Sequence, residues 1–315
     1  MPRLLNLMLF FLLFIPTMIV AADTGLNETQ SKPLIMGIVS TKPQKAIRRS
    51  EPFIEYLAKE MAPFGYTHGE VLVTDDLEEM ADLLSSGKVH LTTSTVYAAL
   101  MLEQLTDVNF AGLRWKKNAR QYHSMFFSSN QSGIKNLSDL KGKTIAFEKH
   151  TSSSGFFFPA NYLISEGYQL QKMQSLNQQP DSDKVGYLFA SQALNNSDEL
   201  NMAIWTYHQK LDASVFSNLN WSDPNDAPNA VKDGLTVIAQ TPSYPRGLML
   251  VSSKVNSIQL DVLKQAMYQA HSTGEGKSSL DRFQKTTKIE AIDTEFSQFI
   301  DQSRDQLPQI MQLAN

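Results

Sequence analysis

A run of four hydroxyl side chains, Thr151–Ser154, is the stretch of this sequence best suited to hold a small anion. It follows a short apolar segment, Thr144–Phe147, which predicts a buried strand, and comes shortly before a longer one, Phe156–Ile164, which predicts a helix. An anion is stabilised where a helix starts, because the first N–H groups have no partner inside the helix and the dipole is positive there. One serine is enough to cap a helix, whereas four hydroxyls in succession favour a binding site with extra donors.

The same order of strand, hydroxyl residues and helix occurs earlier in the chain. Val89–Thr93 predicts a strand, Ser94 and Thr95 follow it, and Val96–Leu105 predicts a helix. We therefore expect this second helix start to face the same cleft as the first.

Two neighbouring motifs together resemble a known family. The first is the segment Gly133–Phe147, GIKNLSDLKGKTIAF, and the second is the SSSGF sequence that begins at Ser152. The pair is similar to the phosphate-, phosphite- and phosphonate-binding proteins of ABC importers. The resemblance implies that Ser152, Ser153 and Ser154 hold the phosphorus oxyanion of the ligand, with Thr151 directly before them.

Weaker similarities to the same family add further candidate residues. Pro33–Ser40 resembles the opening strand of the family, which implies that Thr41 lies in the first ligand loop. Tyr122, within the predicted strand Arg120–Phe127, matches an aromatic residue that lines the family's cleft, although a tyrosine in a strand is more often explained by packing. Ser94 stands where a ligand-contacting tyrosine is often found, so that contact is altered in this chain.

Glu199 is the main departure from the family pattern. Counting back from Asp212, which matches an aspartate of the family, places Glu199 at or beside the histidine that faces the phosphate. A carboxylate there repels an anion. Three explanations stay open: the match is displaced by a residue or two, Glu199 faces an amine on the ligand, or the ligand is not a phosphonate. Asn218 falls near the region that varies with the organic part of the ligand.

The resemblance implies an α/β fold of the type 2 periplasmic binding proteins, with two lobes, two crossover strands and a cleft between the lobes. We expect residues 23–124 and 247–315 to form lobe 1, and residues 125–246 to form lobe 2.

Four local expectations follow from the patterns. Ser50 is expected to cap the first helix, with Pro52 in its first turn. The Asn-, Asp- and Pro-rich residues 220–233 predict a loop, and Phe296–Leu313 predicts a final amphipathic helix packed on the first lobe. Arg246, where the lobes meet, is either an anion partner or a surface arginine.

Residues 1–22 have the pattern of a signal peptide. Arg3 precedes an apolar run, and Val20–Ala22 offers small residues before a cleavage site. The alternative is a membrane anchor, but the run contains Pro16 and is barely long enough to span a bilayer. The chain contains no cysteine, which excludes disulfides and a lipid anchor on cysteine. Together these features predict a soluble, monomeric protein of the bacterial periplasm.

The composition and the missing motifs exclude several classes of function. The net charge of −4 and the lack of a basic run with aromatic residues argue against binding to nucleic acid. No HExxH, GxSxG or Rossmann fingerprint occurs, so we expect no enzymatic activity, cofactor or metal. We expect capture of a small anion for an inner-membrane ABC permease; the alternatives are a sensor subunit for a membrane kinase or cyclase, and an enzyme on the same fold.

Overall fold

The computed structural model describes residues 31–194 and 198–314, so the predicted signal peptide lies outside the described residues. In chain order the strands are β1 (Pro33–Val39), β2 (His68–Thr74), β3 (Leu91–Ser94), β4 (Val108–Lys116), β5 (Gln121–Tyr122), β6 (Ser124–Ser129), β7 (Thr144–Phe147), β8 (Leu170–Lys172), β9 (Val185–Phe189), β10 (Ala213–Ser217), β11 (Leu235–Gln240), β12 (Tyr244–Pro245), β13 (Leu248–Ser252) and β14 (Thr286–Glu290). The α-helices are α1 (Pro43–Glu60), α2 (Leu77–Ser85), α3 (Val96–Leu105), α4 (Phe158–Ser165), α5 (Ala190–Ala193), α6 (Glu199–Tyr207), α7 (Asn218–Ser222), α8 (Asn229–Lys232), α9 (Ser257–Gln269), α10 (Gly274–Arg282) and α11 (Thr294–Ala314).

The strands form two mixed sheets and one short ribbon. The first sheet has the order β14-β4-β13-β3-β1-β2, and the second has the order β11-β6-β10-β7-β9-β8. Helices between parallel strands, such as β1, β2 and β3, make this an α/β fold, and the predicted fold class is confirmed. In the described chain, no helix has the length and apolar character needed to cross a membrane.

The chain crosses between the sheets twice, and the two crossings pair with each other. Strand β5 leads from the first sheet to the second, and β12 leads back. The two strands are antiparallel, with Tyr122 opposite Tyr244 and Gln121 opposite Pro245. This ribbon places residues that are more than 100 positions apart in sequence at the same end of both sheets.

The two sheets share a packed core beside the crossings. Tyr97 of α3 stacks on Phe157 with ring centroids 4.5 Å apart, and Phe158 of α4 stacks on Tyr244 at 3.9 Å. Buried aromatic surface of this kind is the main favourable term in folding. The last helix, α11, contacts α3, in the expected first lobe, and also α4, in the expected second lobe.

Two local expectations were wrong. Helix α1 begins at Pro43 rather than after Ser50, because Pro43 suits the first helical position and the apolar face extends back to Ala46. Ser50 is buried inside the helix and its hydroxyl has no hydrogen-bond partner. Residues 220–233 are not wholly a loop, since the end of α7 and all of α8 fall within them.

Candidate functional site

A cavity of about 1040 Å³ lies at the ends of strands from both sheets. Strands β3 and β4 of the first sheet and the segments after β7 and β10 of the second contribute to its lining. Of the ten residues selected from the sequence, nine line it: Thr41, Ser94, Thr95, Tyr122, Thr151, Ser152, Ser153, Ser154 and Glu199. Residues chosen from separate motifs are therefore brought together in one place.

The serine run opens its helix as expected, but the hydroxyl of Ser152 already has partners inside the protein. A π-helical turn, Ser153–Phe157, precedes α4, so the helix starts earlier than the predicted Phe156. Ser152 is the N-cap: its hydroxyl accepts from the Gly155 N–H at 2.9 Å and donates to a carboxylate oxygen of Glu148 at 2.6 Å. With donor and acceptor both used, Ser152 holds the turn in place rather than offering a free donor.

Gly155, the residue after the serines, is required by close packing. A Cβ atom added there would lie 2.5 Å from Cβ of Glu148, which is closer than side chains approach. The glycine thus lets Glu148 lie against the helix start, where it accepts the hydrogen bond from Ser152.

Ser153 joins the two helix starts that the sequence singled out. Its hydroxyl accepts a hydrogen bond of 3.1 Å from the backbone N–H of Tyr97 in the first turn of α3. Thr95 is the N-cap residue of α3 but makes no side-chain cap, so a serine attached to the second sheet satisfies this N–H. The expectation that both helix starts face one cleft agrees with this geometry.

Tyr122 connects the serine run to a basic side chain. Its ring is only 3 % exposed, and the guanidinium of Arg246 lies 4.6 Å from the ring centroid, in cation–π range. Burial raises the pKa of the Tyr122 hydroxyl, while the charge of Arg246 and a hydrogen bond with Ser154 oppose that shift. Ser154, Tyr122 and Arg246 therefore form a continuous polar edge of the cavity.

Three cationic residues, Arg114, Lys116 and Arg246, form what we call the basic wall. Arg114 is 6 % exposed; its hydrogen bonds are long, 3.5 Å to Gln284 Oε1 and 3.4 Å to Thr286 Oγ1, and its Nε has no hydrogen-bond partner in the described chain. Burial, reinforced by the charge of Arg246, lowers the pKa of Arg114 to about 9.

The other two members of the basic wall are equally without a counter-ion. The pKa of Lys116 falls to about 7, first because of burial and then because of the neighbouring cations. The Nε atom of Arg246 is also buried without a partner. Within the described chain, no carboxylate forms an ion pair with any of the three. Arg114 is buried, Lys116 and Arg246 are half-buried, and a poorly solvated cation without a counter-ion is costly, so the basic wall is suited to bind an anion.

Two carboxylates of the lining, Glu148 and Glu199, form what we call the acidic wall. Burial, followed by the charge of Glu148, raises the pKa of Glu199 to about 7. Burial also raises the pKa of Glu148. Glu199 Oε1 accepts from the Asn220 amide at 3.0 Å, and the same amide nitrogen donates to Asp226 at 2.8 Å. Both acids accept hydrogen bonds, and a raised pKa means that each binds a proton, and so becomes neutral, at a higher pH than an ordinary carboxyl group does.

Asn218 is the one candidate outside the cavity. Ser217 caps α7, and the side chain of Asn218 at the first helical position instead accepts a hydrogen bond of 3.0 Å from the His123 N–H. Asn220, two residues further along α7, takes the place in the lining that we expected for Asn218.

Sequence reasoning missed Glu148, Asn220, Arg114 and Lys116. Arg114 left a usable signal, because a charge at an otherwise apolar position of β4 is unusual for a buried strand. No comparable signal marked Glu148, whose position in the cavity depends on the turn after β7.

Comparison with known proteins agrees with this geometry. A model of the family described as "ABC transporter, phosphonate, periplasmic substrate-binding protein" matches residues 36–296. The fold also resembles XAC2383 from Xanthomonas citri, solved with chloride, at a TM-score of 0.81 and 25% identity, over 90% of this chain and 99% of that one.

Two further solved structures share the fold. XAC2383 bound to ATP aligns with a TM-score of 0.80 and 24% identity, again over 90% of this chain and 99% of that one. PhnD1 from Prochlorococcus marinus, in complex with methylphosphonate, aligns with a TM-score of 0.60 and 13% identity, over 89% of this chain and 99% of that one.

Proposed function

This chain belongs to the family of periplasmic substrate-binding proteins of phosphonate ABC transporters, and we propose that its cavity captures a compact phosphorus oxyanion. Proteins of this family are solute-binding components of ABC importers that act in the periplasm, with a small anionic ligand and a membrane permease as partners. The family does not favour the alternative of a sensor subunit. The signal peptide over residues 1–22 and a monomeric state are part of the proposal.

The observation that carries the proposal is the unpaired basic wall beside the serine run. An anion between Arg114, Lys116 and Arg246 would supply the counter-charge that the described chain does not offer. Within the described chain, the hydroxyl of Ser153 accepts a hydrogen bond but donates none, so its hydrogen is available to a ligand, and Ser154 lies against Tyr122. We propose that Ser153, Ser154 and Thr151 orient the anion, while Ser152 fixes the turn.

The amine explanation for Glu199 fits the acidic wall. Glu148 and Glu199 would accept hydrogen bonds from an amino or hydroxyl group on the organic part of the ligand. We therefore propose that aminoalkylphosphonates bind better than inorganic phosphate.

We propose that the lobes are residues 23–124 with 247–315, and residues 125–246, and that they open at the ribbon of β5 and β12 to admit the ligand. The bond between Ser153 and Tyr97 joins residues on opposite sides of that division, so opening would break it. We also propose that the ligand leaves chemically unchanged, which ³¹P NMR of recovered ligand checks.

The test is a thermal-shift screen followed by calorimetry. The probes are phosphate, phosphite, methylphosphonate, 2-aminoethylphosphonate, sulfonates, carboxylates and ATP. The variant Ser152→Ala/Ser153→Ala/Ser154→Ala should bind at least about tenfold more weakly, and its free energy of unfolding should stay within about 2 kcal/mol of the parent's. Unchanged affinity in that variant, or no response to any phosphorus oxyanion in the parent, would overturn the proposed site.

A further inference from the structure

A second, smaller pocket of about 270 Å³ adjoins the main cavity. The two share four lining residues, namely Ile38, Val39, Ser40 and Gln284. Lys42, Lys45 and Arg49, from the residue before α1 and its first two turns, also line the smaller pocket. Within the described chain none of these three cations forms an ion pair with a carboxylate. We call this region the α1 pocket.

One cation of the α1 pocket, Arg49, acts on the basic wall. The pKa of Lys116 falls to about 7, most of all because of burial. Neighbouring positive charges lower it further, in the order Arg246, Arg114, Lys117 and Arg49. Arg49 of the α1 pocket is thus close enough for its charge to affect a residue of the main cavity. Gln284, which lines both spaces, accepts a long hydrogen bond of 3.5 Å from Arg114.

The start of α1 is unfavourable for the helix by itself. The positive end of a helix dipole favours acidic residues and a capping side chain. Helix α1 has neither: Lys42 occupies the N-cap position without a cap hydrogen bond, no acid lies in the first turn, and Lys45 adds another positive charge. Local choices that oppose the fold are expected at functional sites. An anion in the α1 pocket would offset both the dipole and the lysines.

We propose that the α1 pocket is a second anion subsite, so that the ligand carries at least two linked anionic groups, as in a diphosphate ester. This inference rests on the proposed function, in which the first anionic group occupies the basic wall. The second group then lies between Lys42, Lys45 and Arg49, and the shared lining residues separate the two. The organic part extends toward the acidic wall, where Glu148 and Glu199 accept hydrogen bonds from its hydroxyl or amino groups.

Calorimetry with two probes that differ by one anionic group tests this subsite. Methylphosphonate carries one phosphonate, and methylenediphosphonate carries two on a bond that is not hydrolysed. At about 0.1 M salt the parent protein should bind methylenediphosphonate at least about tenfold more tightly. The variant K42A/K45A/R49A should lose that preference, because its three changes lie in the α1 pocket, while its affinity for methylphosphonate stays within about threefold.

A second triple variant controls for net charge. Lys88, Lys141 and Lys277 are exposed, line neither pocket and form no ion pair with a carboxylate in the described chain. K88A/K141A/K277A removes the same charge and should keep the preference for methylenediphosphonate.

The outcomes separate the two proposals. If the parent binds methylphosphonate but has no preference for methylenediphosphonate, the second subsite is wrong and the proposed function stands. The subsite is also wrong if K42A/K45A/R49A keeps the preference, or if both triple variants lose it equally. If the parent binds neither these two probes nor any other phosphorus oxyanion, the proposed function fails first.

Discussion

The basic wall and the acidic wall of the cavity carry opposite charges and differ in how those charges are balanced. Glu148 and Glu199 accept hydrogen bonds from Ser152 and Asn220, and burial raises the pKa of both acids, so they can become neutral. Arg114 keeps its proton at neutral pH even with a pKa of about 9. A buried carboxyl can thus adapt by protonation, whereas a buried guanidinium needs an anion. The charge of the ligand is therefore expected at the basic wall.

Removing a cation from the basic wall should have the largest effect. We expect Arg246→Met to weaken methylphosphonate binding by about 100-fold, toward the upper range for a hydrogen bond to a charged group. Calorimetry measures this directly. Arg48→Met, at an exposed arginine outside both pockets, is the matched control and should bind as the parent does. Equal affinity in the two variants would mean that the basic wall does not hold the anion.

Raising the pH through the pKa of Lys116 should have the next largest effect on ligand affinity. Lys116 has a lowered pKa of about 7 in the free protein, and a bound anion would raise it, so binding above pH 7 takes up a proton. Affinity should therefore fall by about tenfold per pH unit above 7. This decrease of affinity with pH should be weaker in Lys116→Met, where only the other titrating groups, including the ligand's own, still contribute. Identical pH profiles for parent and variant would show that Lys116 does not face the anion.

Neutralising the acidic wall should have a smaller effect of opposite sign. We expect Glu199→Gln to bind methylphosphonate about threefold to tenfold more tightly at pH 8, because a repulsive charge is removed. It should also lose any preference for 2-aminoethylphosphonate. Exposed Glu166, outside the cavity, provides the control Glu166→Gln. If Glu199→Gln ranks the two phosphonates as the parent does, then Glu199 does not bind the amine of the ligand.

The same substitution should change the pH dependence of stability. The pKa of Glu199 is raised in the folded state, so its contribution is fully present below the unfolded pKa and is lost as the pH rises through about 7. Relative to the parent, Glu199→Gln should gain about 1–3 kcal/mol in unfolding free energy between pH 5 and pH 8. Urea denaturation at the two pH values measures this gain. An equal change of unfolding free energy with pH in parent and variant would contradict it.

Ser152→Ala should have the smallest effect on binding. Loss of an N-cap costs about 1 kcal/mol of stability, but the Ser152 hydroxyl already has both partners inside the protein, so affinity should stay within about twofold. Chemical denaturation and calorimetry on one preparation measure both quantities. A large loss of affinity without loss of stability would place Ser152 in direct contact with the ligand.

Local patterns predicted the elements around the site well. The strand Thr144–Phe147, the serine turn and the helix after it depend on neighbouring residues, so their order was readable from hydrophobic periodicity. The first residue of a helix was harder to predict. Helix α1 begins at Pro43, and Ser50, the expected N-cap, is buried inside it, because the packing of other elements against the helix decides which residues are buried.

The walls themselves could not be read in the same way. Arg114 and Arg246 come from β4 and the return crossing, and only the pairing of β4 with β13 brings them close together. The sequence pointed to Asn218, whereas Asn220 lines the cavity, because the start of α7 after Ser217 sets which side chain faces it.

The order of strands, hydroxyl turns and helices, and with it the α/β fold and the serine run, was determined by the amino-acid sequence, since these features depend on local periodicity and capping. Tertiary structure alone decided that the basic wall and the acidic wall line one cavity. The charges of Arg114, Arg246 and Glu199 act together only because folding brings residues that are far apart in sequence to the same cavity, where charges interact more strongly than in bulk water.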